Sequence, residues 1–141
     1  MLAPMDAPLP SAAAYASEPV RHPPLVVVDV PTEQRAVAED YRNMVLSRVD
    51  TGAGASCLRL AVFRGEYRWH QHPRSDELFL VVEGRLELDV AGGPTAGPQT
   101  LALGPWQAVV VPAGVVHRTR AVGRTVNLTF EALAAETVFV D

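Results

Sequence analysis

From residue 25 onward, the chain consists of short runs in which apolar and polar residues alternate, and turn signals separate these runs. Arg85–Val90 places charged residues on one face and aliphatic residues on the other, as a half-solvated strand requires. Leu78–Val82 is apolar on both faces, which predicts a strand that is covered on both sides. Many short strands between glycine- and proline-rich breaks are typical of a β-sandwich or barrel, so the pattern predicts an all-β fold.

The predicted strands are Leu25–Val30, Asn43–Val49, Cys57–Phe63, Tyr67–His72, Glu77–Glu83, Arg85–Val90, Thr100–Leu103, Gln107–Val111, Val116–Ala121 and Thr125–Glu131, with Thr137–Val140 as a further candidate. The segment Thr32–Tyr41 has the best helical composition, and we expect at most one or two helical turns there. No internal repeat is visible.

The first 24 residues differ in composition from the rest of the chain. They hold six of the twelve prolines and almost no periodic apolar pattern, which predicts a flexible or loosely wrapped arm. The predicted organisation is therefore an arm over residues 1–24 and a single domain over residues 25–141. His22, beside Pro23 and Pro24, is interpreted as a satisfied surface or core histidine and not as a ligand.

Composition excludes several classes of function. The formal net charge is −4, whereas a nucleic-acid partner would require a basic stripe. No apolar run approaches the roughly 20 residues of a membrane helix. All twelve basic residues are arginine, so mechanisms that use a lysine Schiff base are excluded. Cys57 is the only cysteine, and no charged start or apolar segment precedes Ala-Tyr-Ala near Ser17, so a cytoplasmic location is expected.

The candidate chemistry lies in two segments that contain three of the four histidines. His70 and His72 alternate with bulkier or polar neighbours, so on an extended strand both imidazoles project from one face, roughly 7 Å apart at Cα. Glu77 follows a short break, and His117 follows the turn Pro112-Ala-Gly114. Imidazole and carboxylate ligands without a thiolate suit divalent first-row metals, and without a metal these polar groups would be buried unpaired.

These segments resemble the paired motifs of the cupin superfamily. The first reads His-x-His, four residues, Glu77, six residues, Gly84, and the second contains Pro-x-Gly-x-x-His. The chain is more specifically similar to small single-domain bacterial cupins over about residues 25 to 141. The resemblance implies a double-stranded β-helix, or jelly-roll barrel. It also implies that a divalent metal (Fe, Mn, Ni, Zn or Cu) is bound by four ligands, which are His70, His72, Glu77 and His117.

The sequence departs from the family pattern at three positions outside the ligands. Gly65 lies five residues before His70, where cupins usually have a glycine six residues before it. Trp106 stands where the second motif usually has a glycine, although Gly104-Pro105 just upstream can supply a turn. Ala121 replaces an asparagine that is often found four residues after the last histidine. The four ligands themselves are unchanged.

Counting in steps of two from the ligands predicts their neighbours in a pocket. Arg68 is expected on the face of His70, where its guanidinium would favour an anionic substrate, and the alternative is an exposed arginine at a strand start. Phe79 is expected on the face of Glu77 and Thr119 on the face of His117, both as candidate substrate-binding residues. For Phe79 the alternative is packing inside the barrel. Asp76 is interpreted as a solvated turn residue, with orientation of a ligand histidine as the alternative.

Two classes of function agree with these observations. The first is a metal-dependent enzyme acting on a small organic molecule, by dioxygenase-type chemistry or by Lewis-acid isomerisation or decarboxylation, with Glu77 as a candidate base. The second is a non-catalytic cupin that binds a small molecule through its metal. The sequence does not choose between them, because cupin folds host many chemistries.

The second apolar face of Leu78–Val82 also bears on the oligomeric state. Such a face must pack against a further layer of the same chain or against another subunit. Small cupins of the kind that this chain resembles are commonly homodimers, so a homodimer is expected.

Overall fold

The computed structural model describes residues 19–140, in which β-strands dominate. In chain order the elements are α1 (Val30–Arg35), β1 (Tyr41–Asp50), β2 (Ala55–Glu66), β3 (His70–Gln71), β4 (Glu77–Glu83), β5 (Leu86–Val90), β6 (Gln99–Leu103), β7 (Ala108–Val111), β8 (His117–Ala132) and β9 (Val138–Phe139). Within residues 19–140, nine strands and one helix of six residues confirm the predicted all-β class. No helix in this part of the chain is long and apolar enough to cross a membrane.

Strand β8 organises the barrel, because it pairs with four other strands. Its first part pairs with β5 and β3, and its second part pairs antiparallel with β2 on one side and β4 on the other. The pairing with β2 shifts register between Phe63 and Gly65, opposite the exposed residues 122–124 of β8. This irregularity lets one long strand contribute to both walls of a double-stranded β-helix.

The barrel has an apolar interior and a second apolar layer outside it. On β2, Ala61 and Phe63 belong to the interior cluster, whereas Leu60 and Val62 belong to the outer cluster with Val37. Successive side chains of a strand point to opposite faces, so a strand buried on both faces needs a cover on its outer side. Residues of α1 and the segment after it provide part of that cover.

Most predicted strands are confirmed, and the structure differs from the prediction in three places. Leu25–Val30 is not a strand: Leu25 to Val27 are exposed and helix α1 begins at Val30. Tyr67–His72 contracts to the two residues of β3. The two strands predicted on either side of Gly123 form the single strand β8.

The end of the predicted arm that lies within the described residues is attached to the barrel. Val20 forms a parallel bridge with Val45, and the backbone N–H groups of Arg21 and His22 donate to carbonyls of β1. The side chains of Arg21 and His22 both contact the carboxylate of Glu33 in α1. This agrees with the interpretation of His22 as a histidine with a structural partner, whereas residues 1–18 lie outside the described range.

The turn before β7 shows how the chain accommodates Trp106 in place of the usual glycine. Trp106 itself adopts a left-handed conformation with φ of 67°, and its N–H donates to the carbonyl of Val81 at 2.7 Å. The side chain of Gln107 accepts a hydrogen bond from the N–H of Gly104 at 2.8 Å. This conformation of Trp106 carries a cost, since non-glycine residues rarely occupy this region.

Gly84, the turn glycine of the first motif, is required for two reasons. Its φ is 86°, and a Cβ atom built there would lie 2.7 Å from the carbonyl oxygen of Arg124 and 2.9 Å from the Cα of Thr125. Gly84→Ala is therefore expected to lower the free energy of unfolding by roughly 3 kcal/mol, measured by denaturant titration. Gly93→Ala is the control, because no atom lies within 4 Å of its Cβ position. Equal stabilities of the two variants would contradict this explanation.

Candidate metal centre

The four predicted ligands come from three neighbouring strands and one loop. His70 of β3 is the direct register partner of His117 at the start of β8, and their ring centroids lie 4.4 Å apart. His72 follows β3 and its ring centroid lies 5.1 Å from that of His70. Glu77 opens β4. All four side chains are buried, and each offers a ligand atom within 4.8 Å of the others.

The hydrogen bonds of the three imidazoles define which nitrogen is available. The Nδ1 atoms of His70, His72 and His117 lie 2.8, 3.0 and 2.9 Å from the backbone carbonyl oxygens of Arg68, Glu136 and Val115. A carbonyl can only accept, so each Nδ1 carries the proton and donates. In the neutral ring, Nε2 then bears the lone pair that a metal requires.

The donor set fits a divalent metal. Glu77 Oε1 lies 3.2 Å from His117 Nε2 and 3.3 Å from His72 Nε2, and the latter nitrogen is buried with no hydrogen-bond partner. Several lone pairs that converge in a buried space repel one another unless a cation lies among them. Three imidazoles and one carboxylate would bind such an ion and leave further coordination positions for water or substrate.

Before a metal binds, the pKa values of the ligands differ. Burial lowers the pKa of His70 to about 4, and the neighbouring His117 adds to this effect. Burial also acts on His72, but the nearby Glu77 carboxylate, 3.3 Å from Nε2, outweighs it and raises the pKa of His72 to about 9. The pKa of Glu77 is lowered, since the contacts with His117 and His72 outweigh burial.

These pKa values predict a pH dependence of metal affinity. At pH 7 the raised pKa keeps a proton on His72, and this proton must leave before Nε2 can bind a metal. Metal affinity should therefore rise about tenfold per pH unit from pH 6 to 8 and level off near the pKa of His72. Calorimetry in buffers of different ionisation enthalpy should detect the release of about one proton at pH 7. A pH-independent affinity over this range would contradict the assignment of His72.

A cavity of about 70 Å³ adjoins the ligand cluster and is partly open to solvent. Phe79 and Thr119, the predicted neighbours of the ligands, both lie in its wall. Phe79 is buried and meets the ring of His117 edge-on, at 5.9 Å between centroids. Their position in the wall is as expected, and their role in binding a substrate stays a prediction.

Arg68 was predicted to lie on the face of His70 beside the pocket, but it is not among the residues that line the cavity. Its side chain is exposed and its guanidinium carbon lies 4.0 Å from the centre of the Phe139 ring. The alternation that predicted the ligand face does not apply, because strand β3 begins only at His70. The carbonyl of Arg68, and not its side chain, serves the site by accepting from His70.

An arginine does line the cavity, but it is Arg59, which the sequence analysis did not predict, and neither did it predict its partner Glu131. Their side chains are 4% and 7% exposed, and Arg59 Nε lies 3.0 Å from Glu131 Oε1. Burial and then the charge of Glu77 raise the pKa of Glu131, against the opposing effects of His72 and Arg59. Arg59 could have been noticed as the one charged residue in the apolar run Cys57–Phe63.

Asp76 has a structural role that the prediction of a solvated turn residue did not include. Its Oδ1 accepts a hydrogen bond from the N–H of Ala113 at 2.8 Å, and the N–H of Gly114 donates to the carbonyl of His72 at 2.9 Å. These two bonds join the loop of the first motif to the turn that precedes His117. They position the two halves of the ligand set relative to each other.

Comparison with known proteins agrees with this fold and site. The family model described as "Cupin domain" matches residues 61–132. The uncharacterized protein YdbB of Bacillus subtilis is 46% identical over 105 residues, which are 74% of this chain and 85% of that protein. This chain therefore belongs to the cupin family.

Two further proteins extend the comparison. Polyketide synthase CurC of Streptomyces cyaneus is 38% identical over 86 residues, which cover 60% of this chain and only about half (51%) of that protein. A cupin-2 domain protein of Shewanella frigidimarina has a similar structure, with a TM-score of 0.63 and 24% identity, covering 75% of this chain and 94% of that one. The structural likeness concerns the double-stranded β-helix fold.

Proposed function

We propose that this cupin is a metal-dependent enzyme that acts on a small organic molecule. The observation that carries the proposal is the orientation of the three imidazoles. Each Nδ1 bonds a backbone carbonyl, so each Nε2 is free to bind an ion together with Glu77, and the ligand atoms lie within 4.8 Å of one another. His70, His72 and Glu77 also line the cavity. Side chains held in this way are preorganised for a metal such as Fe, Mn, Ni, Zn or Cu.

When bound, a metal at this centre would polarise a carbonyl or enolate oxygen, or bind oxygen for a dioxygenase-type reaction. The other groups of the cavity favour the first class, which is isomerisation or decarboxylation. Glu131 Oε2 lies 3.8 Å from His72 Nε2 and has no hydrogen-bond partner. A carboxylate beside the ligand set can take or return a proton of the substrate.

Glu131 suits the role of base better than Glu77, which the sequence suggested. Glu77 Oε1 is close to the Nε2 atoms of His72 and His117, so its lone pairs are directed at the metal position. Glu131 is instead paired through Oε1 with Arg59 and keeps its other oxygen toward the cavity. The name of the relative CurC, polyketide synthase, agrees with a substrate that carries carbonyl oxygens.

The test combines metal analysis with turnover. Protein purified without an affinity tag is analysed for bound metals, and oxygen uptake and product formation are then measured with enediols, β-diketones and β-keto acids. Turnover without oxygen uptake supports the Lewis-acid class, and turnover with oxygen uptake supports the dioxygenase class. Tight binding without turnover of any compound would support the alternative function, a non-catalytic metal-anchored binding protein.

We further propose that the protein is a homodimer. Leu58, Phe130, Leu78 and Val110 are register neighbours across four strands. They form an apolar row on the outer face of the barrel, and Phe130 and Val110 are 39% and 50% exposed. A second copy of the same face would cover this row, as symmetric dimers do.

Sedimentation tests the dimer directly. Phe130→Glu should shift the protein toward a monomer, whereas Val122→Glu, at an exposed position of β8 outside the row, should not. A monomeric wild-type protein would exclude the dimer.

The compartment that we propose is the cytoplasm, because the single cysteine is buried and requires no oxidising environment. Cell fractionation tests this location.

A further inference from the structure

A row of three polar residues on β8 faces the cavity. Asn127, Thr129 and Glu131 alternate along the strand, line the cavity and are only 1%, 4% and 8% exposed. Each has a buried side-chain oxygen without a hydrogen-bond partner, which is Oδ1, Oγ1 and Oε2 respectively. Most buried polar atoms in proteins have a partner, so three unpaired oxygens in one row indicate a group that binds there.

The unpaired oxygens are confined to the part of β8 that borders the cavity. Thr125 lies on the same face of the same strand and is 1% exposed. Its hydroxyl donates to the carbonyl of Arg85 at 3.1 Å and accepts from the N–H of Arg85 at 3.3 Å. The strand therefore satisfies its polar groups where no cavity adjoins it.

The chemistry of the row specifies what a ligand must offer. A side-chain amide oxygen and a carboxylate oxygen can only accept, and a hydroxyl can accept as well as donate. The ligand must therefore donate hydrogen bonds, which hydroxyl groups do. Other parts of the cavity wall are aromatic, and they include Tyr41, Phe63, Tyr67 and Phe79. Such a wall suits a flat ring.

The charges of the cavity oppose a doubly negative ligand. Arg59 is engaged by Glu131 at 3.0 Å and by the side-chain oxygen of Asn43 at 3.4 Å. When a divalent metal is bound and both carboxyl groups are ionised, the charges of the metal, Arg59, Glu131 and Glu77 sum to about +1, which one negative charge neutralises. A dicarboxylate would leave an excess negative charge in a buried space.

We infer that Asn127, Thr129 and Glu131 form a hydroxyl-recognition subsite. It selects a small ring compound with at least two hydroxyl groups and at most one negative charge over a dicarboxylate. One oxygen of the ligand would reach the metal, and another hydroxyl would donate to the row. The metal end of this arrangement rests on the proposed function, whereas the row itself rests on the unpaired oxygens.

The first part of the test compares the same substitution at two positions of β8. Thr129→Val removes an unpaired hydroxyl, so the melting temperature should rise by about 2–5 °C. Thr125→Val removes a paired hydroxyl and leaves groups of Arg85 unsatisfied, so the melting temperature should fall by a similar amount. A fall in both variants would mean that the hydroxyl of Thr129 has a permanent partner, and would overturn the inference.

The second part measures affinity for catechol, pyrogallol and oxalate by calorimetry on Zn²⁺-loaded protein without oxygen. Pyrogallol differs from catechol by one additional hydroxyl. The wild type should bind pyrogallol more tightly than catechol. In Thr129→Val the ratio of the two affinities should fall by roughly fivefold, the effect of one hydrogen bond. Oxalate has no hydrogen-bond donor, so the same substitution should not lower the affinity for oxalate. An unchanged ratio, or an equal loss for all three compounds, would refute the subsite.

A third measurement separates the subsite from the metal centre. If none of Fe²⁺, Mn²⁺, Ni²⁺, Zn²⁺ and Cu²⁺ binds, the proposed metal-dependent function fails, and pyrogallol is then titrated into the chelator-treated protein. Stabilisation by pyrogallol that Thr129→Val reduces and Thr125→Val preserves supports the subsite independently of the metal. The absence of any stabilisation of the wild type by pyrogallol would reject it.

Discussion

Replacing His72 with alanine is expected to lower metal affinity by more than about 100-fold, because the variant loses one of four ligands. Glu77→Gln should have a comparable effect, since it removes the negative charge from the donor set while keeping its shape. Both variants should stay folded, because strand pairing and apolar packing provide most of the stability. Metal content and the melting temperature with and without metal measure the two effects.

Gln71 provides the matched control for the ligand variants. It lies between His70 and His72, pairs with Val138 through its backbone and is not one of the four clustered residues. Gln71→Ala should therefore keep full metal occupancy. Full metal occupancy in both His72→Ala and Glu77→Gln would show that these residues are not metal ligands.

Arg59→Met is expected to lower the free energy of unfolding by about 3 kcal/mol. Glu131 would keep a buried carboxylate whose cationic partner is gone, and an uncompensated buried charge is costly. Arg48→Met is the control, because Arg48 and its partner Asp50 are 54% and 69% exposed. Loss of that exposed pair should cost at most about 0.5 kcal/mol.

The pH dependence of the Arg59 variant distinguishes a charge effect from a packing effect. The pKa of Glu131 is already raised in the folded protein, and removal of Arg59 should raise it further. A carboxyl with a raised pKa contributes most to stability at low pH, where it is protonated, and its contribution falls as the pH rises through the folded pKa. The variant should thus be less impaired at pH 5 than at pH 8. An equal loss at both values would indicate lost packing only.

The elements of the barrel followed closely from local patterns. The limits of β4 match the apolar run Glu77–Glu83, and β5 matches the alternating segment that ends at Val90. Gly84 was recognisable as a turn residue, and its positive φ explains why. Such features depend on residues that are close in sequence, so periodicity and turn chemistry are sufficient to predict them.

The inner wall of the cavity was not predictable in the same way. The segment Thr125–Glu131 alternates polar and apolar residues, a pattern that usually places the polar face in solvent. Here Asn127, Thr129 and Glu131 face the cavity, while Val126 belongs to the outer apolar cluster. Alternation shows that the two faces differ, but it does not show which face points inward.

The sequence by itself thus determined the strand content, the turn glycine and the four residues suited to a metal, because residue type and spacing carry that information. Only the tertiary structure decided that His70 pairs with His117, that Arg59 meets Glu131, and that Arg68 lies outside the cavity. These outcomes depend on the register between strands distant in the chain and on where a strand begins. A shift of one residue in either would turn every side chain of the strand to the opposite face.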